Sequence, residues 1–321
     1  MNSTGARMST MRGIDAARQW YESAGAPMLE REFGDVVSRI AVGRAGHGSE
    51  CFGYDDDVSR DHDFLIGFQL WITEADEREF GFRLERAYAR LRKEFPPDRE
   101  GAVTGSSELG DAEDGVTVIG DFYRRHLGFP GVPENWRQWL YTPDHAFAEA
   151  VNGAVFRDDL GVFSGIRGTI LNGMPEDVRR KKIAARAVFM AQSGQYNYQR
   201  CLRHGEPGAA ALALDEFVRN AAQMVFLLNR RFAPYYKWVF RAMRDLPKLG
   251  GFSGALADLL TNSASGEAKA ARVEDFCAVI ASELKMQGLS DRDDVYLEPH
   301  AFAVQSGIRD REIRALHIME G

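Results

Sequence analysis

The chain has 321 residues, 45% of them hydrophobic and 27% charged, with a formal net charge of −7. That balance fits an ordinary globular protein of two domains at roughly 100–200 residues each. It argues against a dedicated nucleic-acid binder, which carries a basic surplus. No run approaches the ~20 apolar residues of a membrane span. The N-terminal MNSTGARMSTMRGIDAARQ has no apolar core of the kind a signal peptide needs. Cys51, Cys201 and Cys277 are far apart and odd in number, which points to a reducing compartment and no disulfide framework. A cytoplasmic protein without a membrane partner is expected.

In chain order, residues 13–38 carry apolar residues at helical spacing through Ala17, Trp20, Tyr21, Val36 and Val37, with Gly25 and Pro27 as interruptions. RIAVGRAG reads as a short strand leading into a glycine-serine turn. DFLIGFQLWI (63–72) reads as a buried strand, continuous and rich in branched and aromatic residues. TEADEREFGFRLERAYARLRKEF (73–95) reads as a helix with Thr73 as N-cap and acids in the first turn. Residues 96–115 read as a loop, VTVIG (116–120) as a third strand followed by the helix DFYRRHLG, and a further strand is expected around Val155 and Phe156. Beyond Pro175 the segments at 176–202, 211–232 and 272–288 all carry helical periodicity. The change from mixed to helical character sets a boundary near 160–175, and thus domains at 1–165 and 166–321.

The stretch GHGSECFGYDDDVSRDHDFLIGF (46–68) raises a chemical question, because it sets five aspartates against an apolar run. Unpaired buried carboxylates are costly, so they lie in a solvated loop or around a cation. An EF-hand loop fails: Arg60 stands where glycine is required and Ile66 where glutamate is. A solvated acidic turn accounts for Asp55, Asp56 and Asp57 but not for Asp61 and Asp63. On a strand the latter two share a face, with His62 on the other. Two carboxylates on one face at a strand end suit Mg²⁺ bridging phosphate oxygens, and the Gly48-Ser49 turn can bring backbone N–H groups close to a phosphate. His47 and His62 lie beside the site without the Cys/His spacing of a zinc centre.

Gly48-Ser49 followed by Asp61-His62-Asp63 resembles the nucleotidyltransferase superfamily of DNA polymerase beta. The longer string GRAGHGSECFGYDDDVSRDHDF, with VTVIGDFYRRHLG, AVFRDDLG and RRFAPYYKW further on, is similar to domain-of-unknown-function family 4037. The resemblance implies an α+β fold: a small mixed β-sheet domain with flanking helices, then a helical bundle similar to that of antibiotic nucleotidyltransferases, with the active cleft between them. It implies that Gly48 and Ser49 hold a nucleoside triphosphate, that Asp61 and Asp63 ligate Mg²⁺, and that Lys237 reaches the triphosphate, with Arg230 and Arg231 as further contacts. The implied reaction moves a nucleoside monophosphate, AMP from ATP being the favoured case, onto a hydroxyl of a small molecule. The chain departs from the pattern at the third carboxylate: Thr117 stands in its place, and Asp114, Asp121 and Asp158 are the nearby substitutes. A nucleotide-binding regulatory protein without turnover is therefore the alternative. A transferase acting on RNA or protein is disfavoured by the acidic balance. Pro234 is expected in the first turn of a helix, and RRKK (179–182) on a solvated helix face.

Overall fold

In the computed structural model, which describes residues 12–55, 67–96 and 114–321, the chain divides into two units. One comprises Met1–Val132 with Glu149–Ile170, and the other Pro133–Ala148 with Leu171–Gly321. The fold class is α+β, with one small mixed sheet in the first unit and helices elsewhere. Among the described residues no helix is long and apolar enough to cross a membrane.

The sheet has four strands, β1 (Ala41–Arg44), β2 (Gln69–Ile72), β3 (Gly115–Val118) and β4 (Ala154–Arg157), in the order β3-β2-β1-β4. β1 runs antiparallel to both β2 and β4, while β3 is parallel to β2. Both central strands are buried along their whole length because both faces of the sheet are covered. On one face Val42, Leu70 and Ile72 pack into a core with Trp20, Leu29 and Phe33 from the N-terminal helices and Leu84 and Leu91 from the helix Phe82–Glu94. On the other, the Trp71 ring stacks on Phe163 at 3.8 Å and meets the edge of Phe122. The two-residue period thus sorts the side chains of β2.

Several local readings hold and others are corrected. The helix expected at 13–38 is two α-helical segments, Gly13–Trp20 and Ala26–Phe33, joined by the wide π turn Tyr21–Gly25. Pro27 sits in the first turn of the second segment, directly after the π turn. Thr73 does cap the next helix: its hydroxyl accepts from the Asp76 N–H while the Asp76 carboxylate accepts from the Thr73 N–H. The strand expected at 63–72 is confined to Gln69–Ile72 within the described residues, with Gly67 and Phe68 unassigned to it. Ile119 opens the helix Ile119–Leu127 instead of closing β3. Pro234 is not in a helical turn; it lies in the irregular run 231–235 ahead of the short 3₁₀ turn Tyr236–Trp238.

The second unit is a helical bundle whose core is built from Glu176–Met190, Pro207–Leu228, Gly266–Met286 and Leu297–Ser306. Here the reading of RRKK as a solvated face is overturned, because Arg179, Lys181 and Lys182 are all buried. The helix is packed by Pro207–Leu228 and by Leu297–Ser306, so little of its surface is left for water. Each cation has a partner instead. Arg179 donates to both Glu176 oxygens, Lys181 to the Ile318 carbonyl at 3.0 Å, and Lys182 to Asp144 Oδ1 at 2.6 Å.

Burial pushes the Lys181 ammonium down from its ordinary 10.5 to about 8, with Glu320 opposing the shift and Arg186 adding to it. The folded chain releases this proton near pH 8 and the unfolded chain near 10.5. Between those values the unfolded state holds more protons, so this group makes stability rise with pH across the window. Lys181→Met is expected to remove that rise. Urea midpoints at pH 7.5 and 10 check it, read as the difference between wild type and variant; an unchanged difference would contradict it.

Candidate functional site

One end of the sheet carries the Gly48-Ser49 turn, and the strand register is the reason. Gly43 of β1 pairs with Gln69, the first residue of β2; Gln69 pairs with Gly115, the first of β3; Arg44 pairs with Ala154, the first of β4. The exit of β1 and the entries of the other three strands therefore meet, and the turn carrying Gly48 and Ser49 leaves β1 at that place.

Two side-chain amides brace this turn. Gln69 accepts from the Ala45 N–H at 2.8 Å and donates to the Ala45 carbonyl at 3.0 Å. Asn152 repeats the pattern on Gly46, accepting at 2.9 Å and donating at 2.7 Å. Each amide acts as an extra rung of sheet where the strand has ended. The next peptides are tied in as well, since the Gly153 N–H donates to the Cys51 carbonyl at 2.8 Å. Gly153 has φ +71°, and a Cβ there would run into the Arg44 carbonyl, so only glycine fits.

Beneath the turn lies a buried charge cluster. Arg44 donates to Glu50 Oε1 at 2.8 Å and pairs with Asp114, which also has Arg92 at 3.6 Å. The side chains of Arg44, Glu50 and Asp114 are 9%, 6% and 1% exposed. Burial works against the charge on Arg44, yet Asp114 and Glu50 hold it protonated more firmly than a free arginine. Burial pushes the Asp114 carboxyl up, against the pull of Arg44 and Arg92. Sequence reasoning missed this cluster, because its members come from a strand end, a 3₁₀ turn and the entry of another strand.

The cluster changes the reading of Gly48. A Cβ at this position would meet the Glu50 carboxylate, so a larger residue there disturbs the ion pairs as well as any ligand. Ser49 is half-buried at the start of the 3₁₀ turn Glu50–Phe52, and the N–H groups of Phe52 in that turn and of Tyr54 beyond it donate back to the Ser49 carbonyl. Of the five aspartates only Asp55 lies among the described residues, and it accepts the Gly13 N–H at 2.7 Å at the start of the first helix. Asp61 and Asp63, with Arg60 and His62, lie outside the described residues.

Thr117 is on β3 opposite Trp71. Among its expected substitutes, Asp114 belongs to the buried cluster, Asp121 is exposed and paired with Arg124, and Asp158 accepts the Ser164 N–H at 2.7 Å near the start of the helix Val162–Asn172. The same unit also brings His47, His126 and Glu149 together, with ligand atoms within 4.8 Å of one another.

In the second unit Lys237 is exposed, its ammonium 5.3 Å from the centre of the Trp238 ring. Arg230 pairs with Glu176 at 2.9 Å, and Arg231 is exposed. This unit contains a cavity of about 540 Å³ lined by Lys182, Arg186, Arg219, His145, Tyr235 and Tyr236, among others. The tyrosine rings lie 4.4 Å apart, and His145 meets Tyr235 edge-on. Arg186 donates to Gln223 Oε1 at 2.6 Å, and burial weakens its hold on its proton.

The sheet and its turn define an α+β protein with a preformed backbone loop at one sheet end. In comparisons with known proteins, the family described as "Domain of unknown function (DUF4037)" matches residues 139–239. That segment includes AVFRDDLG, RRFAPYYKW and most of the cavity lining, but not the glycine-serine turn. No curated protein and no solved structure matches the chain.

Proposed function

We propose that the protein is a magnesium-dependent nucleotidyltransferase of the DNA polymerase beta superfamily, moving a nucleoside monophosphate, AMP from ATP in the favoured case, onto a hydroxyl of a small molecule. The observation that carries this reading is the braced turn. Residues 45–49 leave β1 where β2 enters, and two amide side chains fix the backbone that would face the phosphates. A loop held this way needs no reordering when an anion arrives. The mixed sheet and the match to the uncharacterised family are compatible with the reading, and the cavity in the second unit, which has the size and polar-aromatic lining of a small-molecule pocket, favours a small acceptor.

In this reading the Gly48-Ser49 peptides and the Ser49 hydroxyl hold the triphosphate, and Asp61 and Asp63 hold Mg²⁺. The carboxylates of Glu50 and Asp114 at this end of the sheet are taken up by Arg44. When bound, the ion neutralises charge on the transferring phosphate and aligns the displacement. The acceptor hydroxyl attacks the α-phosphorus, and pyrophosphate leaves.

The regulatory alternative has one observation in its favour. Thr117 has no useful basicity, and the Asp114 side chain, 1% exposed, is too enclosed to reach the proton of an acceptor. Asp121 and Asp158 remain the bases to test.

Calorimetry with ATP, with and without Mg²⁺, tests nucleotide binding directly. Saturable binding that requires the metal is expected. Ser49→Ala is expected to weaken it about 2–10-fold, the worth of one hydrogen bond of roughly 0.5–1.5 kcal/mol, without touching the Arg44 cluster. Metal-independent binding, or none with any of the four nucleotides, would contradict the proposal.

A further inference from the structure

Three chemistry-bearing side chains converge in the first unit without any part in the reading above. His47 stands in the turn after β1, His126 in the last turn of the helix Ile119–Leu127, and Glu149 in the helix Asp144–Val151. His47 Nδ1 is 2.8 Å from Glu149 Oε2, and His126 Nδ1 is 4.0 Å from the same oxygen. The imidazole centroids are 4.8 Å apart, with the rings tilted by 53°. The His126 side chain is fully buried, its ring edge-on to Phe122 at 4.8 Å, and Glu149 is buried too. The His47 side chain is 62% exposed.

We infer that His47, His126 and Glu149 form a binding site for one divalent transition-metal ion of the imidazole-preferring kind, zinc foremost. Three separate elements bring two imidazoles and a carboxylate to one point, with ligand atoms within 4.8 Å of one another. That is the donor set that zinc and its neighbours in the first transition row prefer. Bonds of roughly 2.0–2.2 Å require such donors to stand about 3.3 Å apart. Reaching that takes rotation of the exposed His47 together with a small turn of the Glu149 carboxylate towards His126, whose Nδ1 stands 4.0 Å from Oε2. Exposure of His47 also provides the entry path. Three protein donors leave at least one coordination position open for water or for an oxygen of a ligand. Because His47 directly precedes Gly48, an ion here would place positive charge next to the braced turn. The site stands whether or not the chain binds nucleotides.

The test uses the full chain, stripped with a chelator and titrated with Co²⁺ in visible absorption and with Zn²⁺ in calorimetry. One ion per chain, with the ligand-field bands of a site of low coordination number, is expected. His47→Ala and Glu149→Gln should each weaken binding by more than the about 10–100-fold that outer-shell partners of metal ligands cost. His47 is exposed, so its variant keeps the fold, and a thermal melt checks that. Asp61→Asn with Asp63→Asn should leave the Co²⁺ spectrum unchanged. Absence of saturable uptake overturns the inference. So does uptake that survives both His47→Ala and Glu149→Gln, or that disappears with the aspartate pair instead.

Discussion

Replacing Arg44 by methionine is expected to lower folding stability by about 3–5 kcal/mol, the typical cost of removing one partner from a buried ion pair. The loss arises because Glu50 and Asp114 would be left enclosed without their shared cation, and Arg92, at 3.6 Å from Asp114, reaches only one of them. The effect belongs to the unpaired charges rather than to lost packing. Arg44→Met combined with Glu50→Gln and Asp114→Asn is therefore expected to recover most of it, since replacing a whole buried network costs far less than breaking it. Urea unfolding of the single and triple variants decides the matter. A single-variant loss below about 1 kcal/mol would mean that the cluster does not support the turn above it.

Asp61→Asn and Asp63→Asn are expected to reduce nucleotide transfer by more than the about 10–100-fold typical of residues that only support a metal ligand. Each change keeps the size of the side chain and removes the charge that would hold Mg²⁺, so the fold should be unaffected. Asp55→Asn is the matched control from the same acidic run. Asp55 accepts the first N–H of the N-terminal helix, so its replacement touches stability by no more than the roughly 0.5–2 kcal/mol of an N-cap and leaves transfer in place. Pyrophosphate release per chain measures all three. Equal activity in Asp61→Asn and wild type would remove the carboxylate pair from the mechanism.

The signals that proved readable in the sequence are local ones. β1, β4 and the Thr73 cap were visible because a short apolar run or an N-cap followed by acids carries its meaning within a few residues. The run before Gln69 was read as strand from composition alone, yet Gly67 and Phe68 fall outside β2, because apolar composition marks burial and not pairing. RRKK shows the converse. Four basic residues in a row look solvated, but a helix enclosed by two others buries three of them, and each buried cation finds a carbonyl or a carboxylate. The braces Gln69 and Asn152, the Arg44 cluster and the His47–Glu149–His126 group have no sequence signature at all. Each joins residues from separate elements that come together only in the folded chain.

Turnover by the wild-type protein is the most direct test of the nucleotidyltransferase reading. The full chain is incubated with Mg²⁺ and each of the four nucleoside triphosphates labelled at the α-phosphate, together with a broad panel of hydroxylated small molecules. Pyrophosphate and labelled products are then followed. Release of pyrophosphate that depends on Mg²⁺ and on one acceptor, with the label carried onto that acceptor, is the predicted result. Metal-dependent nucleotide binding with pyrophosphate release at background across every nucleotide and acceptor would contradict it and leave the regulatory reading in its place.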